Sequence, residues 1–151
     1  MKWIDTDALY RMLDASIGKG VAPDWAYAEN IAPVDYCARA LVWLLLRKQT
    51  LGGAYHPVNQ NPITWRELVG YSRANGFDVR ERPYREWRAL AGQEGDGLLG
   101  HWLEHVIGEE DVSLEDETRE TGCERTVRAL SGSGIECPRI TEEIVGRYTK
   151  A

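Results

Sequence analysis

The sequence predicts a mainly α-helical chain with two or three short strands, which is an α+β fold. Apolar residues recur at helical spacing in several segments, glycine and proline clusters separate these segments, and strand-like alternation is confined to two short runs. Strands this few and this short do not form a stable sheet by themselves. A length of 151 residues and a hydrophobic content of 43% indicate a single domain, residues 1–151, with a sizeable core.

The N-terminal part is predicted to begin with an amphipathic helix. Asp5 or Thr6 can cap this helix, and Gly18 and Gly20 end it. Residues 21–31 contain a proline and two aromatic residues, and we expect them to be irregular.

Pro33 is predicted to open a second helix, which extends to about Lys48. Its apolar side chains cover more than one face, so we expect this helix to be buried in the centre of the fold. The side chains concerned are Leu41, Val42, Leu44, Leu45 and Leu46.

Two predicted strands flank a third helix. Alternating side chains indicate strands over residues 54–58 and 77–82. Between them, Thr64 and Glu67 have the spacing of a capping box, and the helix that they begin ends at Gly76.

The rest of the chain is predicted to be helical apart from one loop and one turn. We expect residues 108–122 to form a flexible acidic loop and residues 131–134 a turn. The expected helices are one opened by Pro83-Tyr84 with Trp87 and Leu90 facing inward, then Leu98–Ile107, Glu124–Leu130, and a last one from Thr141 to Tyr148.

The net charge of −6 is concentrated in the C-terminal part of the chain. Residues 1–92 carry 12 basic and 10 acidic side chains, whereas residues 93–151 carry 6 and 14. This distribution argues against nucleic-acid binding by the chain as a whole. The longest apolar run, residues 40–46, is too short to cross a membrane. Three cysteines without a CxxC pair argue against a disulfide framework, so we expect a cytoplasmic protein.

A series of motifs follow one another along the chain: Gly20–Pro23, Pro33–Ala40, Tyr55–Asn59, Thr64–Leu68, Pro83–Trp87, Ala129–Ile135 and Cys137-Pro138. In this order and spacing they resemble the C-terminal half of extended short-chain dehydrogenase/reductases. The resemblance is closer to the terminal thioester-reductase domains of nonribosomal peptide and polyketide synthetases. It extends from about residue 6 to residue 148.

The resemblance implies a two-part enzyme. An N-terminal Rossmann half would bind NADPH and carry a Ser/Thr-Tyr-Lys active site, and a C-terminal half would form the substrate pocket and contact a carrier protein. The implied reaction is hydride transfer to a phosphopantetheine-bound acyl or peptidyl thioester, which releases an aldehyde or an alcohol.

The catalytic and cofactor motifs of that family are not found in this sequence. A dinucleotide site needs a glycine-rich turn between a strand and a helix, and Gly132-Ser133-Gly134 follows a predicted helix instead. No tyrosine is followed by lysine four residues later; Tyr84 with Arg88 is the nearest pair. We therefore predict no catalytic residue and no cofactor in this chain, with NADPH bound by a Rossmann half outside it.

The resemblance places the substrate side of a cleft at Pro33, Asp35 and Tyr36. Tyr55 and His56 could line the same cleft. Asp35 equally fits a carboxylate that complements the dipole at the start of its helix, and the aromatic residues equally fit ordinary packing.

A basic cluster is formed by Arg80, Arg82, Arg85 and Arg88, interleaved with acidic residues. Arginine suits phosphate, and carrier proteins are typically acidic and bear a phosphodiester, so we expect this segment to dock the carrier. An ordinary salt-bridged surface is the alternative. A second candidate for docking is Lys19 with Arg47 and Lys48.

Residues 101–105, His-Trp-Leu-Glu-His, match the HxxEH motif of zinc peptidases. Trp102 and Leu103 are needed for the core face of the same helix, and the residues that follow are predicted to be flexible. We therefore predict no metal site.

The leading hypothesis is the substrate- and carrier-recognising C-terminal subdomain of an NADPH-dependent thioester reductase, not catalytic alone. One alternative is a stand-alone, non-catalytic module that docks a carrier or another partner, and a second is a zinc peptidase. Separation from a Rossmann half would expose apolar surface, so we expect the isolated chain to self-associate.

Overall fold

The computed structural model describes residues 8–25, 27–91 and 122–149. In chain order the elements are α1 (Ala8–Lys19), β1 (Val21–Pro23), β2 (Ala28–Glu29), α2 (Val34–Leu45), a 3-10 turn (Lys48–Thr50), β3 (Ile63–Thr64), α3 (Trp65–Ala74), β4 (Arg80–Arg82), α4 (Tyr84–Ala91), α5 (Glu124–Leu130) and α6 (Glu142–Thr149). The prediction of a mainly helical α+β fold is confirmed. None of the helices in these residues is long and apolar enough to cross a membrane.

The chain divides into two compact units. Unit 1 contains the described residues of 1–27, 64–117 and 141–151, and unit 2 those of 28–63 and 118–140. A single subdomain over residues 1–151 stays a prediction. The helix predicted at Leu98–Ile107 and the loop predicted at 108–122, apart from Gly122, lie outside the described residues.

Unit 1 contains a two-stranded parallel sheet. In its register Val21 lies opposite Arg80 and Pro23 opposite Arg82. Gly20 turns the chain from α1 into β1 with a φ of +66°, and a Cβ there would lie 3.1 Å from the carbonyl oxygen of Asp78. The prediction that residues 21–31 are irregular is therefore wrong for β1, because pairing with β4 makes residues 21–23 a strand.

Aromatic residues form the core of unit 1. Trp25 stacks on Tyr84 with 5.1 Å between ring centroids, and it also contacts Trp65 and Trp87 at 6.1 Å. The indole N–H groups are satisfied, since Trp65 donates to the carbonyl of Pro23 and Trp87 to the hydroxyl of Ser16. On α4 the inward position of Trp87 is confirmed, whereas Leu90 is 40% exposed and its predicted burial is wrong.

The predicted capping box of α3 is present. The Thr64 hydroxyl accepts from the amide of Glu67 at 3.2 Å, and the Glu67 carboxylate accepts from the amide of Thr64 at 2.8 Å. Two donors at the start of the helix are thereby satisfied by side chains. The final helix also begins as predicted, because the Thr141 hydroxyl accepts from the amide of Ile144 at 3.4 Å.

Unit 2 is built around α2. Its buried face consists of Tyr36, Ala40 and Leu44, which pack with Leu130 of α5. The helix ends at Leu45, earlier than predicted, where the Thr50 hydroxyl shares its one hydrogen between the carbonyls of Leu44 and Arg47. The Leu44 carbonyl, which lies in the last turn of the helix, thereby gains a hydrogen-bond partner.

The second apolar face of α2 is exposed, so the prediction that this helix is buried in the centre is wrong for the described chain. Leu41 and Val42 are 51% and 57% exposed, and Leu45 and Leu46 are 71% and 81% exposed. The helix is apolar on more than one face, as predicted, but unit 2 uses one face only.

Residues 54–58 do not form the predicted strand. Their polar groups bond to side chains instead: the His56 amide donates to the Thr126 hydroxyl at 2.8 Å, and the Cys37 thiol donates to the Pro57 carbonyl at 3.6 Å. The short strand β2 pairs with β3. Within the other predicted strand, 77–82, only Arg80–Arg82 is paired. Its partner β1 is three residues long and offers no further pairing position.

Candidate functional site

Unit 2 contains a cavity of about 410 Å³. This volume lies within the range of small-molecule pockets. The floor comes from the buried core, and the rim from residues 60–61 and the turn after α5. The lining residues are Tyr36, Gln60, Asn61, Val127, Leu130, Ser131, Gly132, Gly134, Ile135, Glu136 and Cys137.

A glycine-containing turn after α5 forms one wall of the cavity. Gly132 and Gly134 have φ angles of +74° and +70°, which are strained for residues with a Cβ. The Ser133 amide donates to the Leu130 carbonyl at 3.0 Å, and the Ser133 hydroxyl accepts from the Ile135 amide at 2.9 Å. The turn therefore presents backbone and small side chains to the cavity.

Asn59 holds in place the adjoining residues 60–61, which also line the cavity. It is 1% exposed, and its side-chain N–H groups donate to the carbonyls of Ile31 and Pro138, while its side-chain oxygen accepts from the Asn61 amide. The Asn30 side chain binds the backbone of Asn59 twice: its amide N–H donates to the Asn59 carbonyl, and its oxygen accepts from the Asn59 backbone N–H. A buried amide with these partners is satisfied and fixes three chain segments relative to one another.

Two of the lining side chains, Tyr36 and Cys137, are uncharged at ordinary pH, and Glu136 is the acidic side chain of the lining. Burial raises the pKa of the Tyr36 phenol, and the nearby thiols of Cys137, Cys37 and Cys123 raise it further. Burial is also the first cause that raises the pKa of Cys137 to about 11, followed by the charges of Cys37 and Asp35. Neither group is a ready nucleophile or base, so these two side chains are suited to binding through apolar contact and hydrogen bonds.

Among the five predicted substrate residues, only Tyr36 lines this cavity. Pro33 is buried at the start of α2, and His56 is exposed. Asp35 is exposed and pairs with Arg39 at 3.4 Å, one turn along the same helix. A role for these residues in substrate binding stays a prediction.

Tyr55 lies against Gly53 and Arg125. The Arg125 guanidinium is 5.1 Å from the centroid of the Tyr55 ring, and a Cβ on Gly53 would come within 2.8 Å of either side chain. Gly53 thus permits a close approach that a larger residue would prevent. The ring also packs on the core of unit 2, so its packing role is visible in the structure.

The cavity residues that sequence reasoning missed are Gln60, Asn61 and the turn after α5. The sequence indicates turns at the asparagine-rich run 59–61 and at the GSG run, and the structure contains them. The sequence feature that could have pointed to these residues is the high content of polar residues at 59–61 and of glycine at 132–134. Nothing in the sequence alone showed that the two stretches lie on one cavity.

The four arginines predicted to dock a carrier differ in environment. Arg80 is exposed, with Asp78 at 3.9 Å, and Arg88 is half-buried with polar partners. Arg82 and Arg85 are exposed and form no ion pair within the described residues.

Two acidic residues lie between these arginines: Glu81 is paired with another element, and Glu86 is exposed. Glu81 pairs with Arg73 at 2.9 Å and with Arg66 at 3.5 Å, and Arg66 also pairs with Asp24. Charge on Glu81 is therefore offset by α3, and Arg82 and Arg85 remain without an ion pair among the described residues, with Glu86 next to Arg85 in the chain.

Arg47 and Lys48, from the second candidate docking group, lie at the surface of unit 2. Arg47 lies over the ring of Trp43, 3.7 Å from its centroid, and Lys48 is exposed. The HxxEH motif at 101–105 lies outside the described residues, and the described ranges contain no group of three or more metal-binding side chains.

The described residues do not fit a dinucleotide cofactor. Neither β1 nor β4 is followed by a glycine-rich turn, since Asp24-Trp25 follows the first and Pro83 the second. The Gly132–Gly134 turn follows a helix, α5. The cradle that a pyrophosphate needs, glycines between a strand and a helix N-terminus, is not formed by these residues.

Comparison with solved structures identifies the architecture. The chain is similar to the terminal R domain from the myxalamid PKS-NRPS biosynthetic pathway, with 30% identity and a TM-score of 0.78 over 98% of this chain and 38% of that one. It also shares its fold with a thiolation-reductase di-domain from an archaeal non-ribosomal peptide synthetase, with 21% identity and a TM-score of 0.69 over 97% of this chain and 30% of that one.

Curated relatives agree with the structural neighbours. An isonitrile lipopeptide synthase from Streptomyces coeruleorubidus is 28% identical over 95% of this chain and 10% of its own length. A linear gramicidin synthase from Brevibacillus parabrevis is 23% identical over 93% of this chain and 3% of its length. No protein-family model matches the chain.

These comparisons confirm the resemblance predicted from the sequence. The structural neighbours are terminal R domains of PKS-NRPS and NRPS assemblies and the curated relatives are such synthetases, and the chain is consistent with a C-terminal reductase subdomain. It spans well under half the length of each solved chain or curated relative named above.

Proposed function

We propose that this chain is the substrate- and carrier-recognising part of an NADPH-dependent thioester reductase. The complete enzyme would reduce a phosphopantetheine-bound acyl or peptidyl thioester in the cytoplasm and release an aldehyde or alcohol. The observation that carries the proposal is the similarity of 98% of this chain to 38% of a terminal R domain. A part that matches so completely, and that lacks a cofactor cradle in its described residues, fits a recognition role.

The cavity of unit 2 supports substrate recognition. Tyr36 and Cys137 in its lining are uncharged at neutral pH, and Gln60 and Asn61 supply amide groups. The phosphopantetheine arm and a peptidyl chain both contain amides, which such groups can bind. We infer that Tyr36 contacts the acyl or pantetheine part of the substrate.

The open cations of unit 1 support carrier recognition. Arg82 and Arg85 have exposed guanidinium groups without an ion pair among the described residues. Charges of this kind at the rim of an interface accelerate encounter with an acidic partner and can bind a phosphate. We infer that the carrier approaches unit 1 at this surface.

The proposal is tested with a hybrid in which this full chain replaces the segment it matches in the myxalamid R domain. The hybrid is expected to oxidise NADPH when supplied with an acyl thioester on its carrier, whereas the isolated chain should neither bind nor oxidise NADPH. Binding of NADPH by the isolated chain, measured by calorimetry, would contradict the proposal.

Charge reversal separates the reductase interpretation from that of a stand-alone docking module. Arg82→Glu/Arg85→Glu should slow turnover of the carrier-bound substrate in the hybrid, mainly through KM, and leave a small free thioester unaffected. Arg147→Glu is the matched control, since Arg147 is an exposed arginine of unit 1 on α6. A hybrid that binds carrier through these arginines yet never reduces a thioester would favour the docking module.

A further inference from the structure

One carboxylate lies in the lining of the unit 2 cavity. Glu136 is the charged side chain among the lining residues that the structure describes, and none of these residues is basic. Glu136 forms no ion pair within the described ranges, although Arg139 follows three positions later in the chain. A carboxylate that no lining residue neutralises gives the cavity a negative potential.

Uncharged polar groups of the lining add further hydrogen-bond acceptors. The side-chain N–H of Gln60 donates to the Cys123 thiol at 3.7 Å, which orients the amide and leaves its oxygen able to accept. The Asn61 amide and the Ser131 hydroxyl also line the cavity, and each contains an oxygen that can accept. The lining therefore offers several oxygen acceptors to a ligand group that is rich in donors.

The rest of the lining is apolar. Leu130 belongs to the core of unit 2, Ile135 packs against that core, and Val127 is 43% exposed. Ligand pockets typically combine an apolar surface with a few polar groups that fix the orientation of the ligand. This combination suits a ligand with an aliphatic stem and a polar end.

We propose that the cavity binds the acyl end of the substrate and that this end carries a protonated amine, with Glu136 as its counter-ion. The inference rests on the proposed function. An ammonium group has three donors and no acceptor, so it matches a carboxylate with amide oxygens in the same lining. The apolar side chains would contact the methylene groups next to the amine. Glu136 is thereby a specificity-determining residue.

The phosphate end of the phosphopantetheine arm does not fit this cavity. Phosphate is bound by basic side chains or by backbone N–H groups. The lining has no basic residue, and Glu136 would repel a second negative charge. In the turn after α5, the amides of Ser133 and Ile135 already donate within the turn. The acyl part of the substrate is therefore the part that Tyr36 contacts.

The test measures the binding of three probes to the full chain by NMR titration. The probes are the butyl amides of ω-aminooctanoic acid, nonanoic acid and nonanedioic acid, which end in an ammonium, a methyl and a carboxylate group on stems of equal length. The Kd of the ammonium probe should be at least about threefold lower than that of the methyl probe, because it adds one charge-assisted contact. The carboxylate probe should bind most weakly.

Two substitutions at one position assign the preference to the cavity. Glu136→Gln should bring the Kd values of the ammonium and methyl probes to within about twofold of each other, and Glu136→Lys should make the carboxylate probe the tightest. Glu124→Gln and Glu124→Lys are the matched controls, since Glu124 is an exposed glutamate of unit 2 outside the lining. They should keep the wild-type order. Circular dichroism establishes that each variant is folded.

The hybrid R domain described above gives a readout during turnover. With carrier-bound thioesters, the ω-aminooctanoyl substrate should have a lower KM than the nonanoyl substrate. Glu136→Gln should raise the KM of the ω-aminooctanoyl substrate about threefold and leave its kcat unchanged, because the contact with the amine is distant from the reacting thioester. The nonanoyl substrate should be unaffected.

The outcomes separate this inference from the proposed function. Binding of none of the probes, or equal Kd values for the ammonium and methyl probes, would overturn the inference even if the hybrid reduced thioesters. An ammonium preference that survived Glu136→Gln would also overturn it, as would a preference lost equally in Glu124→Gln. A preference that depended on Glu136, together with a hybrid that reduced no thioester, would support the inference and count against the proposed function.

Discussion

The two units differ in how completely they bury their own apolar residues. In unit 1, four large aromatic side chains from three segments pack on one another, and the indole groups of Trp65 and Trp87 donate to partners inside the unit. In unit 2, one face of α2 forms a small core while the other remains exposed. The difference teaches that an apolar face is buried only where packing partners meet it: the described residues of unit 1 supply such partners for its aromatic side chains, whereas those of unit 2 leave one apolar face of α2 exposed.

Truncation of Trp87 should be the most damaging change in unit 1. Trp87 is 0% exposed, contacts Trp25 and Tyr84, and bonds Ser16. Trp87→Ala is expected to lower the free energy of unfolding by about 3–5 kcal/mol, because a large cavity remains. Chemical denaturation measures the effect.

The matched control is Leu90→Ala on the same helix, with its side chain 40% exposed. It should cost less than about 1 kcal/mol. Similar losses for the two variants would mean that the aromatic cluster is not the main core of unit 1, and the contrast between the units would fail.

Asn59 is the corresponding key residue of unit 2, where a polar side chain replaces aromatic packing. Asn59→Ala leaves the carbonyls of Ile31 and Pro138 and the amide of Asn61 without their partner. The expected loss is about 2 kcal/mol, since unsatisfied buried polar groups are costly. Hydrogen exchange should show the loss in residues 28–63 first.

Gln60→Ala is the control, because Gln60 is the exposed neighbour of Asn59. Its effect on the free energy of unfolding should be within about 0.5 kcal/mol. Equal effects of the two substitutions would contradict the role given to the Asn59 network.

Local sequence signals predicted most elements of both units, and the wrong predictions are those that depend on packing between distant segments. The capping box at Thr64 and the bounds of α5 follow from interactions a few residues apart, so they could be predicted. Local sequence could not decide whether residues 54–58 form a strand, because a strand needs a second strand to pair with, and that partner is distant in the sequence. In the structure the His56 amide donates to the Thr126 hydroxyl on α5, and the Pro57 carbonyl accepts from the Cys37 thiol on α2.

The candidate site was less predictable than the fold for a physical reason. The motif at Pro33–Ala40 predicted Tyr36, which does line the cavity, but the remaining walls come from segments that are far apart in the chain. Turn residues such as Gly132 contribute backbone geometry rather than chemistry, so no side-chain pattern indicates them. The sequence shows that the second face of α2 is apolar, but only the folded chain shows that unit 2 leaves it uncovered.

Helix capping gives a smaller difference between the units. The N-terminus of α3 in unit 1 has a capping box, whereas Pro33 at the start of α2 makes no side-chain cap bond. Thr64→Ala should therefore destabilise the protein by about 1 kcal/mol, a typical cost for loss of an N-cap. The reduction should be visible as faster hydrogen exchange in residues 65–74.

The same cap predicts a pH dependence. Hydrogen bonds from the backbone and then the side chain of Thr64 lower the pKa of Glu67 in the folded protein. A folded pKa below the unfolded value of about 4.3 means that the stabilisation is present above that pH and is lost as pH falls through the folded pKa. The difference in stability between the wild type and Glu67→Gln should thus shrink below about pH 4. A constant difference from neutral pH to pH 3 would contradict the assignment.

The smallest expected effect is also the sharpest comparison between the two faces of α2. Leu41→Gln/Leu45→Gln should change the free energy of unfolding of the chain alone by no more than about 0.5 kcal/mol, because both side chains are largely exposed. Leu44→Ala, on the buried face of the same helix, should cost about 2–5 kcal/mol. The double variant should also reduce self-association of the chain in sedimentation experiments, since it removes apolar surface. If it destabilised the chain as much as Leu44→Ala, the face of α2 that contains Leu41 and Leu45 would be part of this chain's own core, and the contrast between the units would fail.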